Sequence, residues 1–499
     1  MKQLFLSGLL ILAPVLVRAE VSLPKLFSSH MVLQRNMPIH IWGDAEPGEQ
    51  VTVEFNSARG KAVTDDLGRW SVYLPAEPAG GPFTLTVRGG NTIQLDDILM
   101  GDLWVASGQS NMEMPLAGFP GNAVVREGDN EIAAANHPAI RLLRVEKDTS
   151  DYPLDDLKKV YGWSVCTPET ARDFSAVAYF FARDVQETQR VAIGLIDSTW
   201  GGSPAEAWTS LTALGADASL MPIFSVRAAR MNRETTEHRL DDAGRRLKAE
   251  GKAATTKIRQ WHPDPNSWKP AALFNAMISP ITPLPIRGVI WYQGETNSAP
   301  DRVGLYHHLF STMIEDWRAQ WLEGDFPFLF TQISSFGNSP AENWGRLRDA
   351  QRRTLSLANT GMAVTLDHGD KTNVHPAEKQ AVGTRLALLA RNMVYGEKVT
   401  PSGPLFRLAY PDAGAMRVWF DYAEGLQAPG GALKGFEVAG ADGGFVAASA
   451  RIDDDTVVVS SPSVAEPRYV RYAWPNFTDA NLVNAAGLPA STFTSAPTP

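Results

Sequence analysis

Four short segments of the chain carry the residue types that acyl transfer requires. Gly-Gln-Ser-Asn-Met at 108–112 holds a serine in a glycine-preceded turn, where the hydroxyl of Ser110 is a candidate nucleophile. Val-His-Pro at 374–376 holds His375, a candidate general base. A nucleophile, a base and donors for a developing oxyanion are the parts of an acyl-transfer site. The alternative for Ser110 taken alone is a helix cap.

Two further segments supply candidate oxyanion donors. Gly201 and Gly202 are paired glycines, so their backbone N–H groups can approach a ligand closely. Gln293 and Asn297 lie in Trp-Tyr-Gln-Gly-Glu-Thr-Asn at 291–297, and their amides can donate an N–H without a charge to desolvate. The alternative for both segments is a turn whose polar side chains bond the backbone.

The histidine segment is preceded by acids. Asp367 and Asp370 are candidates for the carboxylate that orients His375, which we expect to open a helix with Pro376 in its first turn. A metal site built from Asp367, His368 and Asp370 is the alternative. No other histidine cluster supplies further ligands, so we favour a mechanism without metal or organic cofactor.

The sequence pattern predicts that strands alternating with helices position these segments. Amphipathic helical patterns separate five apolar runs. The runs are Leu103–Ser107, Val191–Thr199, Arg287–Gly294, Phe326–Ile333 and Met362–Asp367, and the helical patterns are Ala176–Gln186, Leu305–Trp321, Leu347–Leu357 and His375–Arg391. This alternation predicts an α/β fold with a parallel sheet covered by helices on both faces. Each candidate segment follows a strand, where ligands bind in such folds.

Patterning on either side of this region predicts additional domains. Residues 20–97 alternate with period two between Gly and Pro turns, which predicts a β-sandwich. Residues 98–395 form the predicted catalytic domain, with a charged insertion at about 231–258 that reads as an exposed helix, or alternatively a lid. Residues 396–499 are again β-rich.

Composition excludes several classes of protein. The 499 residues carry a net charge of −9 and no basic stripe, which argues against a nucleic-acid binder. The single cysteine, Cys166, excludes an intramolecular disulfide framework and a cysteine-based zinc site.

The first nineteen residues have the pattern of a secretory signal. Lys2 precedes an apolar run from Leu4 to Val17, and small residues end it before a cleavage site after Ala19. We therefore expect a secreted or periplasmic protein with no membrane span after cleavage. An N-terminal anchor is the alternative, but the run is short and contains Pro14.

The same segments resemble the sialate O-acetylesterase group of the SGNH hydrolases. The resemblance covers nearly the whole mature chain. Its motifs are Gly-Gln-Ser-Asn-Met at 108–112, Trp-Gly-Gly-Ser-Pro-Ala-Glu-Ala-Trp at 200–208, Trp-Tyr-Gln-Gly-Glu-Thr-Asn at 291–297 and Val-His-Pro at 374–376, with further matches at 26–35 and 481–490.

This resemblance implies a flavodoxin-like catalytic domain and a secreted esterase that removes acetyl groups from sugar hydroxyls. It implies that Ser110 is the nucleophile and His375 the base. It also implies an oxyanion hole lined by the backbone N–H groups of Ser110 and of Gly201 or Gly202, with the amide of Gln293 or Asn297.

The sequence departs from the wider SGNH pattern at one position. That pattern has an aspartate three residues before the catalytic histidine, where this chain has Thr372. Three possibilities follow: Asp370 orients His375, Asp367 does, or the site is a Ser–His dyad.

The substrate is predicted as an acetylated oligosaccharide or polysaccharide, either a hemicellulose such as xylan or xyloglucan or an O-acetylated sialic acid. A sialate carboxylate needs a basic contact, for which Arg346, Arg348 and Arg352 are candidates. Several tryptophans near the candidate loops favour stacking on a neutral sugar. They are Trp200, Trp208, Trp261, Trp268, Trp291 and Trp344.

Two other functions fit parts of the sequence. A glycosidase would use Glu206 and Glu295 as paired carboxylates. A non-catalytic glycan-binding protein would use the β-rich regions, and Ser110 would then be dispensable.

Overall fold

The computed structural model describes residues 20–253 and 264–497. The predicted signal at residues 1–19 and part of the predicted insertion, residues 254–258, lie outside the described residues, as does Trp261. Within the two described ranges, no helix is both long and apolar enough to cross a bilayer.

The N-terminal part of the chain consists of β-strands. They are β1 (Val32–Gln34), β2 (Ile39–Asp44), β3 (Gln50–Phe55), β4 (Ala58–Val63), β5 (Arg69–Leu74), β6 (Gly80–Arg88) and β7 (Thr92–Gly108).

Strand β7 joins the N-terminal strands to the rest of the molecule. Up to Asp97 its residues alternate between exposed and partly buried, as expected for a sheet with one wet face. From Met100 to Gly108 every residue is buried, as expected for a parallel strand covered on both faces. The predicted domain boundary between residues 97 and 98 therefore falls inside one continuous strand, and β1 and β6 both pair with it.

The central region alternates helices with strands, and short 3₁₀ turns connect several of them. Its elements are α1 (Ser110–Glu113), α2 (Gly128–Ala134), β8 (His137–Arg144), β9 (Ser164–Cys166), α3 (Pro168–Arg172), α4 (Ala176–Gln189), β10 (Ala192–Thr199), α5 (Leu211–Ala216), α6 (Pro222–Ala249), β11 (Gly288–Tyr292), α7 (Tyr306–Trp321), β12 (Phe328–Gln332), α8 (Trp344–Arg353), β13 (Thr360–Val364) and α9 (Lys379–Met393).

The predicted parallel sheet is confirmed, and all five apolar runs form strands. The spatial order is β13-β12-β11-β7-β10-β8-β9, with parallel pairing from β13 through β8. Gly108 at the end of β7 is in register with Thr199 of β10 and Tyr292 of β11. The segments after these strands therefore emerge side by side at one edge of the sheet.

The helices pack in pairs around the sheet, α4 with α9 and α7 with α8. One helix starts later than predicted. Helix α9 begins at Lys379, so His375 and Pro376 lie in the preceding loop and not in a first helical turn. The reason lies in that loop, where the backbone N–H of His375 bonds the side chain of Asn373. The charged insertion is largely the 28-residue helix α6.

The C-terminal region contains two four-stranded sheets. Its strands are β14 (Leu405–Asp412), β15 (Ala415–Asp421), β16 (Phe436–Ala439), β17 (Val446–Ala447), β18 (Ser449–Asp453), β19 (Thr456–Ser460), β20 (Tyr469–Tyr472) and β21 (Phe493–Thr494). The region is fastened to α8 by Arg348, which is fully buried and donates to the backbone carbonyls of Ala473 and Pro475.

Candidate active site

Ser110 emerges from the central strand through a turn that only glycine allows. Gly108 has φ +135°, and a Cβ there would lie 2.2 Å from the carbonyl oxygen of Tyr292. The next residue, Gln109, donates its N–H to the same carbonyl at 3.0 Å. Helix α1 then begins at Ser110, which is half-buried and whose hydroxyl bonds no other described residue. Among the described residues, this hydroxyl thus has no hydrogen-bond partner, and the ring of His375 does not bond it either.

Gly201 lies beside this serine. A Cβ on Gly201 would stand 3.2 Å from the Cβ of Ser110. The backbone N–H of Gly201 donates to the Oε2 atom of Glu113 in a short hydrogen bond. Lys147 binds the other oxygen of that carboxylate at 2.6 Å. The Gly201 N–H thus lies beside the serine and is bonded to the Glu113 carboxylate.

The two amide candidates differ in how much of their donor capacity is already used. Both hydrogens of the Gln293 amide are taken, by Asn297 Oδ1 at 2.7 Å and by the Ser203 carbonyl at 3.3 Å. Among the residues that the structure describes, the Asn297 amide nitrogen has one partner, Glu206 at 2.9 Å. One of its two hydrogens therefore remains available. Both side chains join the 200–208 segment to the 291–297 segment.

His375 occupies a partly buried, apolar environment. Its ring meets Phe119 edge-on, with 5.2 Å between the ring centroids. The Nδ1 atom is buried and has no hydrogen-bond partner among the described residues. Burial and, to a smaller extent, the nearby charge of Lys379 together lower the pKa of His375 to about 4. The imidazole is therefore neutral at pH 7, as a general base must be.

Neither candidate aspartate bonds the ring of His375. The Asp370 carboxylate accepts the backbone N–H groups of Thr372 and Asn373 at 2.7 and 2.9 Å, so it shapes the loop that leads to the histidine. These hydrogen bonds hold the pKa of Asp370 below its usual range. Asp367 forms a two-point salt bridge with Arg385 at 2.7 and 2.6 Å.

The metal alternative finds no support in this arrangement. The Asp367 carboxylate is engaged by Arg385, and that of Asp370 by its own loop. Across residues 20–253 and 264–497, no three His, Cys, Asp or Glu side chains are grouped as metal ligands.

Sequence reasoning missed a buried polar network beside the serine. Asn111 donates to Glu295 at 2.5 Å and to the carbonyl of Val374 at 3.0 Å, and it accepts a bond from Lys379 at 2.5 Å. The position of Asn111 inside the Gly-Gln-Ser-Asn-Met motif could have pointed to a role for it in the site. Nothing in the sequence points to Lys379, because a lysine four residues after a histidine is ordinarily solvent-exposed.

A cleft of about 460 Å³ shares two residues with the surroundings of these groups. One is Glu113, which accepts the N–H of Gly201, and the other is Phe119, which contacts the ring of His375, whereas Ser110 and His375 do not themselves line the cleft. Its other lining residues are Pro115, Arg144, Val145, Glu146, Lys147, Tyr161, Asp173, Asp197 and Thr199. Trp200 adds an aromatic ring nearby, half-buried and 5.8 Å from the ammonium of Lys147. The cleft therefore combines polar groups with aromatic surface, as sugar sites do.

The chain is similar in sequence to known proteins over most of its length. The family model described as carbohydrate esterase, sialic acid-specific acetylesterase matches residues 251–392. The chain is 33% identical to the sialate O-acetylesterase of Homo sapiens over 416 residues, which is 76% of this chain and 72% of that protein. The mouse (Mus musculus) sialate O-acetylesterase is 31% identical, over 76% of this chain and 74% of its own. The chain belongs to the sialate O-acetylesterase family.

The similarity also covers the fold of a solved structure. A carbohydrate acetylesterase from Xanthomonas citri superposes with a TM-score of 0.82 at 38% identity, covering 96% of this chain and all of that one. As a sialate O-acetylesterase family member the protein is a carbohydrate ester hydrolase, and the α/β architecture with β-rich flanking regions is that of the family.

The residues proposed for a glycosidase do not face each other across the cleft. Glu206 is buried against Asn297 and lies 3.6 Å from Arg302. Glu295 is buried against Asn111. Paired carboxylates for glycoside hydrolysis must flank a substrate, and these two hold protein segments together instead.

Most of the predicted sugar and sialate contacts are structural as well. Arg348 is buried against the C-terminal region, and Arg352 pairs with Asp349 at 2.8 Å. Arg346 lies 3.4 Å from the position a Gly304 Cβ would take. Four of the tryptophans are buried, which leaves Trp200 as the half-exposed ring beside the cleft; the buried ones are Trp208, Trp268, Trp291 and Trp344.

Proposed function

We propose that this family member removes O-acetyl groups from a neutral glycan, with Ser110 as nucleophile and His375 as general base. One observation carries the proposal. Ser110 begins a helix at the carboxyl end of the central strand, Gly201 lies directly beside it, and the side chain of Asn111 ties its segment to the loop of His375. This arrangement supports a site in which nucleophile, donor and base act together at one edge of the sheet.

The first half of the reaction forms an acetyl-enzyme. The His375 imidazole takes the proton of the Ser110 hydroxyl as its oxygen bonds the acetyl carbon. The carbonyl electrons move onto oxygen and form a tetrahedral oxyanion. When the intermediate collapses, the carbon–oxygen bond to the sugar breaks, and the imidazolium returns its proton to the sugar oxygen.

The second half releases acetate. A water molecule gives a proton to His375 and attacks the acetyl carbon, and the serine oxygen leaves with that proton. The oxyanion formed in each half is stabilised by the backbone N–H groups of Ser110 and Gly201 and by the remaining hydrogen of the Asn297 amide. The Glu113 carboxylate must turn from Gly201 toward Lys147 to admit the oxyanion.

The base works without a carboxylate on its ring in this proposal. Asp370 acts indirectly, because its carboxylate holds the turn at 372–373. The side chain of Asn373 in that turn accepts the backbone N–H of His375 at 2.9 Å. Of the three possibilities that the sequence leaves open, this arrangement favours a Ser–His dyad steadied by its loop.

A neutral substrate fits the charges of the cleft better than a sialate. Its two cations have protein partners, since Lys147 bonds Glu113 at 2.6 Å and Arg144 bonds the Asp173 carbonyl at 2.7 Å. Four acidic side chains line the same cleft: Glu113, Glu146, Asp173 and Asp197. Burial raises the pKa of Asp197 to about 7, but the other three carboxylates still outnumber the two cations, which disfavours an anionic sugar. We therefore favour acetylated xylan or xyloglucan over O-acetylated sialic acid.

We also infer export from the cytoplasm, because a polysaccharide substrate is extracellular and the first nineteen residues have the signal pattern. Amino-terminal sequencing of the exported protein should begin at Glu20.

The decisive test measures acetate released from acetylated xylan, acetylated xyloglucan and O-acetylated sialic acid by the parent, by Ser110→Ala and by Ser311→Ala. Ser311 is a half-buried serine of α7 whose hydroxyl bonds the carbonyl of His307, and it serves as the matched control. We expect Ser110→Ala to lose about 10⁴-fold or more in turnover, as triad nucleophiles do.

Two results would contradict this function. Retention of more than about a tenth of the activity by Ser110→Ala would remove the serine from the mechanism. Preferential release from the sialic acid would overturn the neutral substrate and leave the esterase intact.

A further inference from the structure

A lysine lies where the fold would normally place an apolar residue. Lys379 opens helix α9 and is 1% exposed. Its ammonium donates to Asn111 Oδ1 at 2.5 Å and lies 5.7 Å from the centre of the Tyr292 ring. A buried ammonium is costly unless it is paired, so its retention requires a reason.

The carboxylate that balances this charge contacts the same asparagine from the other side. Glu295 is 7% exposed, and its Oε1 atom accepts from Asn111 Nδ2 at 2.5 Å. The other oxygen of Glu295 is buried without a partner among the described residues. Burial raises the pKa of Glu295 and lowers that of Lys379 to about 7. Lysine and glutamate thus bracket one amide group.

When Lys379 is protonated and Glu295 ionised, the charges at its two ends fix the orientation of that amide. An ammonium can only donate a hydrogen bond, and an ionised carboxylate can only accept one. Asn111 must therefore turn its oxygen to Lys379 and its nitrogen to Glu295. A flip of the amide would break both hydrogen bonds and place like partners against each other.

The same amide nitrogen also donates to the carbonyl of Val374 at 3.0 Å. Asn111 directly follows Ser110, and Val374 directly precedes His375. Glu295 belongs to the segment after β11 that also holds Gln293 and Asn297. One side chain thus connects the nucleophile, the base and the amide segment.

We propose that Lys379, Asn111 and Glu295 form a buried charge–amide–charge device that fixes the Ser110 segment relative to the His375 loop. The three are positioning residues, because they act through their neighbours and touch no reacting atom. The inference rests on the proposed roles of Ser110 and His375. It explains why a buried lysine and a buried glutamate are retained in an apolar core.

The test exchanges donor and acceptor within the device. Asn111→Asp keeps the shape and the bond from Lys379 but sets a carboxylate against Glu295 and the Val374 carbonyl. We expect kcat to fall by about 100-fold with KM changed less than about threefold, because substrate contacts are kept and alignment is lost. Adding Glu295→Gln supplies a donor to the new carboxylate and should recover about tenfold in kcat.

Controls separate this outcome from simple destabilisation. Asn484→Asp changes another buried asparagine, one that donates to the carbonyls of Ser402 and Tyr422 in the C-terminal region. It should lower the melting temperature and leave kcat within about twofold. If Asn111→Asp does not fold, Lys379→Met replaces it, because it removes the donor to Asn111 Oδ1 and the charge that faces Glu295; we then expect kcat to fall by about tenfold.

Two outcomes overturn the inference. One is a kcat within about threefold of the parent for the folded variant, and the other is a double variant no better than Asn111→Asp alone. Ser110→Ala is measured in parallel. If it stays active the proposed function fails, whereas an inactive Ser110→Ala beside a fully active Asn111→Asp rejects only the positioning device.

Discussion

Gly201 and Ser110 lie side by side, although 91 positions separate them in the sequence. A Cβ at position 201 would stand 3.2 Å from the Ser110 Cβ and 3.0 Å from Glu113 Oε2. Both distances are tighter than ordinary contacts, so a larger residue at position 201 would have to displace Ser110 or Glu113 by a few tenths of an ångström. The small residue lets a backbone N–H reach the region where an oxyanion would form next to the serine.

Gly201→Ala should therefore reduce catalysis without unfolding the protein. The added methyl group pushes on Ser110 and Glu113, and a displacement of a few tenths of an ångström at the nucleophile should lower kcat by about 10- to 100-fold. Gly215→Ala is the matched control, because nothing lies within 4 Å of the position its Cβ would take. Normal kcat in Gly201→Ala, measured by acetate release, would mean that this N–H is not part of the site.

Replacing Gln293 and replacing Asn297 by alanine should have different effects on kcat and on the melting temperature. Asn297 keeps one free amide hydrogen, so Asn297→Ala should lower kcat by about 10²- to 10³-fold with little change in KM. Gln293→Ala should mainly lower the melting temperature, because it removes the amide donor to the Ser203 carbonyl and the side-chain acceptor of the Tyr306 hydroxyl, which keeps only the backbone carbonyl of residue 293. Kinetics and thermal unfolding of both variants provide the check. If both turn over normally, the hole is made from backbone N–H groups alone.

Asp370 should tolerate replacement by its amide. Asp370→Asn keeps an oxygen that accepts the N–H groups of Thr372 and Asn373, so we expect kcat to change by less than about fivefold. Asp370→Ala removes that acceptor and should cost more. Asp367→Asn weakens the bridge to Arg385 and should leave kcat nearly unchanged. A loss of about 100-fold in Asp370→Asn would instead make this carboxylate the direct partner of His375.

The pH–rate profile should report the buried histidine. A base works in its neutral form, so activity falls when the pH drops through its pKa. Because burial lowers the pKa of His375 to about 4, we expect kcat to hold from pH 7 down to about 5 and to halve near 4. An exposed histidine would lose activity near pH 6.5.

Lys379→Met tests the second cause of that lowered pKa. The ammonium of Lys379 opposes protonation of His375, so its removal should raise the pKa of the histidine. The acid limb of the profile should therefore move to higher pH in the variant. A limb that stays in place would show that burial alone sets the pKa.

The sequence predicted the sheet because its signals are local. Each buried parallel strand is a short apolar run, and each amphipathic helix repeats with its own period, so five strands and most helices can be read from neighbouring residues. The start of α9 was wrong by four residues. Pro376 favours a first turn, but a side-chain bond from Asn373 to the His375 backbone holds that stretch as a loop.

The sequence also predicted that the candidate segments lie together at one edge of the sheet, because the residues that follow neighbouring parallel strands emerge at the same edge. It determined which residue types are available for acyl transfer: a serine, a histidine and small or amide donors, each following a strand.

The tertiary structure alone decided which partners those residues have. Asp370 and Asp367, the acids that precede His375, bind their own loop and Arg385. Asn111, 263 positions from Val374, makes the contact that joins the Ser110 segment to the His375 loop. Lys379 is buried only because α9 packs its first residue over Asn111 and Glu295. Hydrogen bonds depend on direction and on distances of about 3 Å, and sequence separation carries no information about either.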